Sequence, residues 1–291
     1  MNRIVVGTDR SEASVHAARW ALDLARRTHA SVKLVEAFRS PSVETSPADL
    51  ETQVGDHVDL LESWARTNLL SPVSVAAIAG PPVPVLVAQC LESNVDALVI
   101  GTTGTSGVTH WALGGAIHGL AHELAKPLII VPPGLDALGE GPIVVGVDGS
   151  EGSEIALEWC ERLGAAIDRD VIAFYSVPGI YGTFDAAGNF GEEEKEATAE
   201  AHDGRRRTRF EELVGGDAVG GLRAEAIERD ATALVVAARD RHSFHGLLLG
   251  TVVDQLIHEP RQLTVVIPHA YCDLHRPGRN DVDNPTGPII V

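Results

Sequence analysis

The sequence predicts two tandem α/β domains, each a doubly wound sheet of five parallel strands with helices on both faces. Three observations predict it. The chain of 291 residues repeats itself: Arg3-Ile4-Val5-Val6-Gly7-Thr8-Asp9 returns as Pro142-Ile143-Val144-Val145-Gly146-Val147-Asp148, 139 positions on (7 to 146). The register holds through Ser14/Ser153, Trp20/Trp159 and Val32/Val171. A later block repeats 136 positions on (114 to 250), pairing Ala97-Leu98-Val99-Ile100 with Ala233-Leu234-Val235-Val236 and Ile129-Ile130-Val131-Pro132 with Val265-Val266-Ile267-Pro268. So long a period fits a duplicated globular unit and not a solenoid repeat. Short apolar runs also alternate with helix-periodic segments, the pattern of parallel βαβ units. Finally, hydrophobic content of 44% with 22% charged residues is that of a globular protein, and an aromatic share of 4% implies aliphatic cores.

The elements follow in order. Ile4-Val5-Val6-Gly7 reads as a buried strand ending on glycine. A helix runs to Leu24 with Ser11 as N-cap and Asp9 just ahead of it. Ser31 to Phe38 is a second strand. Leu50, Val54, Val58, Leu61 and Trp64 recur at steps of three or four, which predicts a helix from Pro47 to Leu69. A third strand spans Val73 to Ile78, and Gly80-Pro81-Pro82 breaks the chain before a helix from Val85 to Ser93. Asp96 to Ile100, Ala116 to Leu124 and Leu128 to Val131 complete the first half as strand, helix and strand. The second half is expected to follow the same order. Domains are placed at residues 1–134 and 142–270, with Leu135 to Gly141 as linker and 271–291, rich in Pro and Gly, as a mobile tail. Gly188 to Arg207, with Glu192-Glu193-Glu194 and Arg205-Arg206-Arg207, reads as a solvated helix and not a binding patch.

Composition excludes several functions. A formal net charge of −18 and pI near 5.0 argue against nucleic acid or anionic membrane as partners, both being polyanions. Cys90, Cys160 and Cys272 have no paired spacing, so neither a disulfide framework nor a zinc site follows, and Cys90 and Cys160 read as packing residues. The N-terminal residues lead directly into a strand and no apolar run reaches membrane-spanning length, so a cytoplasmic protein is expected. His110, His118, His242 and His245 lack a metal-ligand pattern and read as surface or loop-packing residues. Trp20 and Trp159 are expected in the core. No nucleophile elbow or activated nucleophile is evident, so at most a slow ATPase would be built on this chain.

The informative stretch follows the fourth strand: Gly101-Thr102-Thr103-Gly104-Thr105-Ser106-Gly107, then Leu113-Gly114-Gly115 opening a helix. Residues without Cβ let backbone N–H groups approach phosphate oxygens, and a helix N-terminus adds unpaired donors and positive dipole. The spacing Gly-x2-Gly-x9-Gly is neither a Walker A loop nor Gly-x-Gly-x-x-Gly.

Together with the Val-Gly-x-Asp-x-Ser-Glu context at both starts, this pattern resembles the universal stress protein family in its tandem form, over residues 3–132 and 142–268. The resemblance implies two Rossmann-like (adenine nucleotide alpha hydrolase-like) domains. It further implies that the fifth strands, Leu128–Val131 and Thr264–Ile267, pair antiparallel in an intramolecular pseudo-dimer, with association of whole chains left open. It implies ATP as ligand, with ADP and AMP as alternatives, and Asp9 on the adenosine side; Asp9 and Asp148 are also carboxylates that could in principle ligate Mg²⁺ together with phosphates. Nucleotide contacts would fall on Thr8, Asp9, Ala37, Gly101, Thr102, Gly104, Gly114, Gly115 and Ala116. Gly115 stands where the family has Ser or Thr; a lost neutral hydrogen bond costs about 0.5–1.5 kcal/mol. In the second half the strand end is Ser176 and the loop reads Ala237-Ala238-Arg239-Asp240, with only Gly250-Thr251 retained. A carboxylate at 240 would repel polyphosphate by about 1–4 kcal/mol per charge pair at 4 Å, which Arg239, Arg241, His242 and His245 would partly offset. The first half is therefore expected to bind ATP and the second poorly or not at all. The alternatives are a non-nucleotide interaction scaffold of the same fold and a slow ATPase.

Overall fold

A computed structural model describes residues 1–40, 46–102, 115–176, 208–213, 217–238, 250–258 and 260–276. In the first half β1 (Arg3–Thr8), α1 (Glu12–Thr28), β2 (Ser31–Phe38), α2 (Pro47–Asn68), β3 (Ser74–Ala79), α3 (Pro82–Cys90), β4 (Val95–Gly101), α4 (Gly115–Glu123) and β5 (Leu128–Val131) alternate as expected. The second half contains β6 (Ile143–Val147), α5 (Glu151–Ile167), β7 (Val171–Ser176), β8 (Thr208–Leu213), α6 (Ala218–Glu228), β9 (Ala233–Ala237), α7 (Thr251–His258), β10 (Thr264–Ile267) and α8 (His269–Leu274). The charge-rich stretch 188–207 lies outside the described residues.

The first helices of the two halves are built alike. Ser11 caps α1 by accepting from Ser14 N, and Ser150 caps α5 by accepting from Ser153 N. Both helices end on a left-handed residue at matched positions, His29 at φ 56° and Asp168 at φ 57°. α3 starts at Pro82, earlier than the Val85 expected, because Pro82 and Pro84 occupy a first turn in which no backbone N–H is needed.

The strands form one sheet in the order β3-β2-β1-β4-β5-β10-β9-β6-β7-β8. Within each half neighbours are parallel; across the middle β5 and β10 are antiparallel, with Val265 opposite Ile129. The expected intramolecular pairing of the fifth strands is thus present, and it leaves neither of these apolar strands as an exposed edge. Apolar layers cover both faces and cross the seam. One contains Ile4, Val6, Trp20 and Leu24 with Val145, Trp159, Leu163 and Val265. The other joins Val5, Leu86 and Ile130 to Val144, Leu222 and Val266. Trp20 and Trp159 are buried core residues. Across the seam His118 of α4 lies 3.3 Å from Asp254 of α7.

The mobile tail expected from residue 271 does not begin there. Residues 269–274 are helical, and Tyr271 and Cys272 are buried against α5. Their side chains are two of the few large or sulfur-bearing apolar groups beyond β10, and they cover apolar surface that the end of the sheet leaves open. Residues 277–291 lie outside the described residues.

Candidate functional site

The strand order fixes where a ligand can sit. From β1 the chain winds outward through β2 and β3, then returns to place β4 on the other side of β1. The connections leave the C-terminal ends of β1 and β4 in opposite directions, so a crevice opens between them. The second half has the same switch between β6 and β9.

In the first crevice Thr8 ends β1 and is buried. Asp9 follows, half-buried, and its Oδ1 accepts from the Ser11 N–H (3.0 Å) and the Ser14 hydroxyl (2.8 Å). The N-cap thereby fixes the rotamer of the carboxylate. Ala37 lies on β2, beside β1, where Thr8 is in register with Glu36. Gly101 ends β4 and Thr102 follows it, while Gly115 and Ala116 open α4. Gly104 and Gly114 lie outside the described residues. The described candidates therefore gather on β1, β2, β4 and the start of α4, around one crevice.

Two of these residues behave differently from a simple phosphate cradle. A Cβ on Gly101 would lie 2.6 Å from the Ala13 carbonyl carbon and closer still to its oxygen. Glycine is needed there because the first turn of α1 packs directly on the end of β4. The Thr102 N–H donates to Val131 O (3.1 Å), and its buried hydroxyl has no partner among the described residues. A Cβ on Gly115 would meet nothing within 4 Å among the described residues. The orphaned Thr102 hydroxyl and the open start of α4 are what a phosphorylated ligand would satisfy, so the residues present fit such a group. Among the described residues no three His, Cys, Asp or Glu side chains converge on a metal position.

Beside Asp9 stands a cluster that sequence reasoning missed. Arg10 is left-handed at φ 65°, a conformation that costs a non-glycine residue about 1 kcal/mol. Its partners hold it there: the Arg10 N–H donates to Thr8 Oγ1 (3.0 Å), its carbonyl accepts from Trp64 Nε1 (3.0 Å), and its guanidinium pairs with Glu36 (3.0 Å). Glu36 is 5% exposed, and its Oε1 also lies 3.3 Å from His57 Nδ1. The His57 ring stacks on Phe38 at 4.0 Å. Two signals were present in the sequence. A lone glutamate interrupts the apolar run of β2, and Arg10 stands opposite Gly149 in the repeat.

In the second crevice Asp148 follows β6, and its Oδ1 accepts from the Ser150 N–H at 3.1 Å. A cavity of about 280 Å³ opens here, lined by Asp148, Gly152, Phe174, Leu222 and Ala237, with His269 and Arg276 from the C-terminal segment at its side. Ala237 replaces Gly101, while Gly152 replaces Ala13. A Cβ on Gly152 would be 3.6 Å from the Ala237 Cβ, an ordinary contact. Helix α5 thus stands further from its strand than α1 does, so alanine at 237 does not by itself argue against a ligand. Arg276 pairs with Glu151 (3.3 Å) and Asp273 (3.1 Å). Arg239, Asp240, Arg241, His242 and His245 lie outside the described residues, as do His110 and the side chain of Ser176.

The three thiols are buried. Burial pushes Cys90 up to about 12 and Cys272 to about 11, and raises Cys160 well above the usual thiol range.

Fold and topology define a tandem α/β protein with a switch point in each half, the second of which opens into the cavity lined by Asp148 and Ala237. A family model described as the universal stress protein family matches residues 1–132 and 141–268. The chain belongs to that family and carries two copies of its domain. A universal stress protein from Archaeoglobus fulgidus is similar in structure, at TM-score 0.68 and 16% identity, over 92% of this chain and 98% of that one. A functionally unknown protein from Pseudomonas aeruginosa matches at TM-score 0.62 and 14% identity, over 94% and 95%. At these identities the likeness is one of fold. A single-domain A. fulgidus universal stress protein, solved in complex with dAMP, covers 43% of this chain and 96% of its own length, at 21% identity and TM-score 0.33. No helix among the described residues is long and apolar enough to cross a membrane.

Proposed function

We propose that the first half binds an adenine nucleotide, ATP foremost, in the crevice between β1 and β4, and that the protein acts as a nucleotide-responsive stress module. One observation carries the reading: Gly101-x2-Gly104-x9-Gly114 begins at the C-terminal end of β4, beside Asp9, at the point where the strand order reverses. The buried, unpartnered Thr102 hydroxyl and the uncrowded Gly115 support it. In this reading Asp9 holds the ribose side, the β2 backbone at Ala37 faces the adenine, and the start of α4 receives the phosphates. Thr8 and Ala116 complete the walls. Gly101 contributes close packing of α1 and not a phosphate donor. Mg²⁺ accompanies the phosphates.

The second half is proposed to bind triphosphate poorly. The asymmetry rests on Asp240, which stands where the first half has Gly104. Repulsion between that charge and phosphate opposes binding.

Calorimetric titration of the full chain with ATP tests the assignment. One nucleotide per chain is expected, weakened by Asp9→Ala. Gly115→Ser should strengthen binding by roughly 2- to 10-fold, the worth of one added neutral hydrogen bond. No saturable heat at millimolar ATP would reject the reading, and two sites per chain would reject its second part.

A further inference from the structure

The pseudo-two-fold relation between the halves also creates two matching grooves. The first runs between α1 and the start of β9, and the linker lies in it. Leu138 is buried there; its N–H donates to Asp23 Oδ2 (3.1 Å), and the Thr232 hydroxyl donates to the carbonyls of Gly139 (2.9 Å) and Gly141 (2.7 Å). The counterpart groove runs between α5 and the start of β4. By the repeat, Trp159, Arg162, Leu163 and Ala166 stand where the first groove has Trp20, Asp23, Leu24 and Arg27. Val95 and Asp96 stand for Ala231 and Thr232. Leu274, the positional counterpart of Leu138, is 58% exposed instead of inserted. What remains is a cavity of about 280 Å³ whose wall is completed by Tyr271 and His275.

The chemistry of this second groove is reversed. The acid that receives a main-chain N–H in the first groove, Asp23, is replaced by a cation, Arg162, which touches the Tyr271 hydroxyl at 3.3 Å. Lys126 also lines the cavity and makes no hydrogen bond or ion pair among the described residues. Asp96 is the single carboxylate among the described lining residues, and its Oδ2 accepts from the main-chain N–H groups of Asn2 and Arg3. The His275 ring donates through Nδ1 to the Tyr271 carbonyl (2.8 Å) and stacks on the Tyr271 ring at 3.9 Å, which gives the wall a flat aromatic face. Arg162 also lies 3.9 Å from Glu158 on its own helix. Lys126 is therefore the cation of this apolar, aromatic pocket without an ion pair among the described residues, in a chain of net charge −18.

We propose that this interdomain groove binds a small organic anion with a flat apolar body, its carboxylate set against Lys126 and Arg162 and its body between Leu163, Ala166 and the Tyr271–His275 stack. The volume, about 280 Å³, falls just below the roughly 300–1,000 Å³ typical of small-molecule sites, which limits the ligand to about one ring. The groove exists only where the two halves meet, so its ligand would bind the tandem chain and not an isolated half. The proposal is independent of nucleotide binding at the switch points.

Benzoate is a suitable probe for ligand-observed NMR titration of the full chain, with benzamide as its uncharged control. Saturable benzoate binding is expected, with benzamide at least about tenfold weaker. Lys126→Glu should cost benzoate about tenfold or more. Arg162→Asp, which copies the residue of the sister helix, should do the same at unchanged thermal midpoint. Ala166→Trp should close the groove while leaving the ATP titration as in the parent chain. Absence of saturable benzoate binding, equal binding of benzamide, or unchanged affinity in both charge variants would overturn the proposal.

Discussion

Replacing Gly101 with alanine tests the packing argument most directly. The added Cβ would sit 2.6 Å from the carbonyl carbon of Ala13, a separation at which backbone must move, since no flexible side-chain end is available to yield. Overpacking of a closed site costs about 1–3 kcal/mol, and here the yielding group is the first turn of α1. For a domain of this size that loss lowers the thermal midpoint by roughly 2–8 °C. Because Ser11 and Ser14 of that turn hold Asp9, the same change should weaken ATP binding as well. Ala13→Gly should not rescue it, because the clash is with main-chain carbonyl atoms that glycine retains. The matched change in the second half, Gly152→Ala, brings a Cβ only to 3.6 Å from Ala237 and should be neutral or slightly stabilising. Thermal and urea midpoints of the three variants decide the matter. A Gly101→Ala chain within about 0.5 kcal/mol of the parent, the usual scatter of harmless substitutions, would refute the reasoning.

Two further predictions concern electrostatics and thiols. Burial raises the Asp136 carboxyl, but hydrogen bonds from His16 and Arg19 outweigh it and hold the group below its ordinary 3.8. A depressed carboxyl stabilises the fold above its unfolded value and ceases to do so as pH falls through the folded one. Asp136→Asn should therefore cost roughly 0.2–1 kcal/mol near pH 7, the pair being partly exposed, and progressively less below about pH 4. Urea midpoints of both chains across that range would check it; a difference that grows in acid would contradict it. Cys90, Cys160 and Cys272 should react with a disulfide reagent at pH 8 only slowly in the folded chain and fully once it is denatured. A stoichiometric burst from the native protein would count against the buried thiols.

Much of the fold was legible because its signals are local. Strand and helix periodicity, the Ser11 and Ser150 caps and the duplicated Val-Gly-x-Asp start are properties of short segments, and the first half shows the expected order of strands and helices, with α3 starting earlier than its pattern implied. The repeat added a second reading of every position, which exposed the contrast between Gly104 and Asp240. The Tyr271 segment was misjudged because a single helical turn has no period to detect, and its order comes from burial against α5.

The sequence by itself determined the number of halves, the order of their elements and the residues that follow the strand ends, because these depend on chain-local geometry. Only the tertiary structure decided why Gly101 is glycine, that Glu36 is buried against Arg10 and His57, and that one interdomain groove is filled by the linker while its mate keeps a cationic cavity. Each of these depends on which distant segments come within contact distance, and chain-local patterns do not encode that.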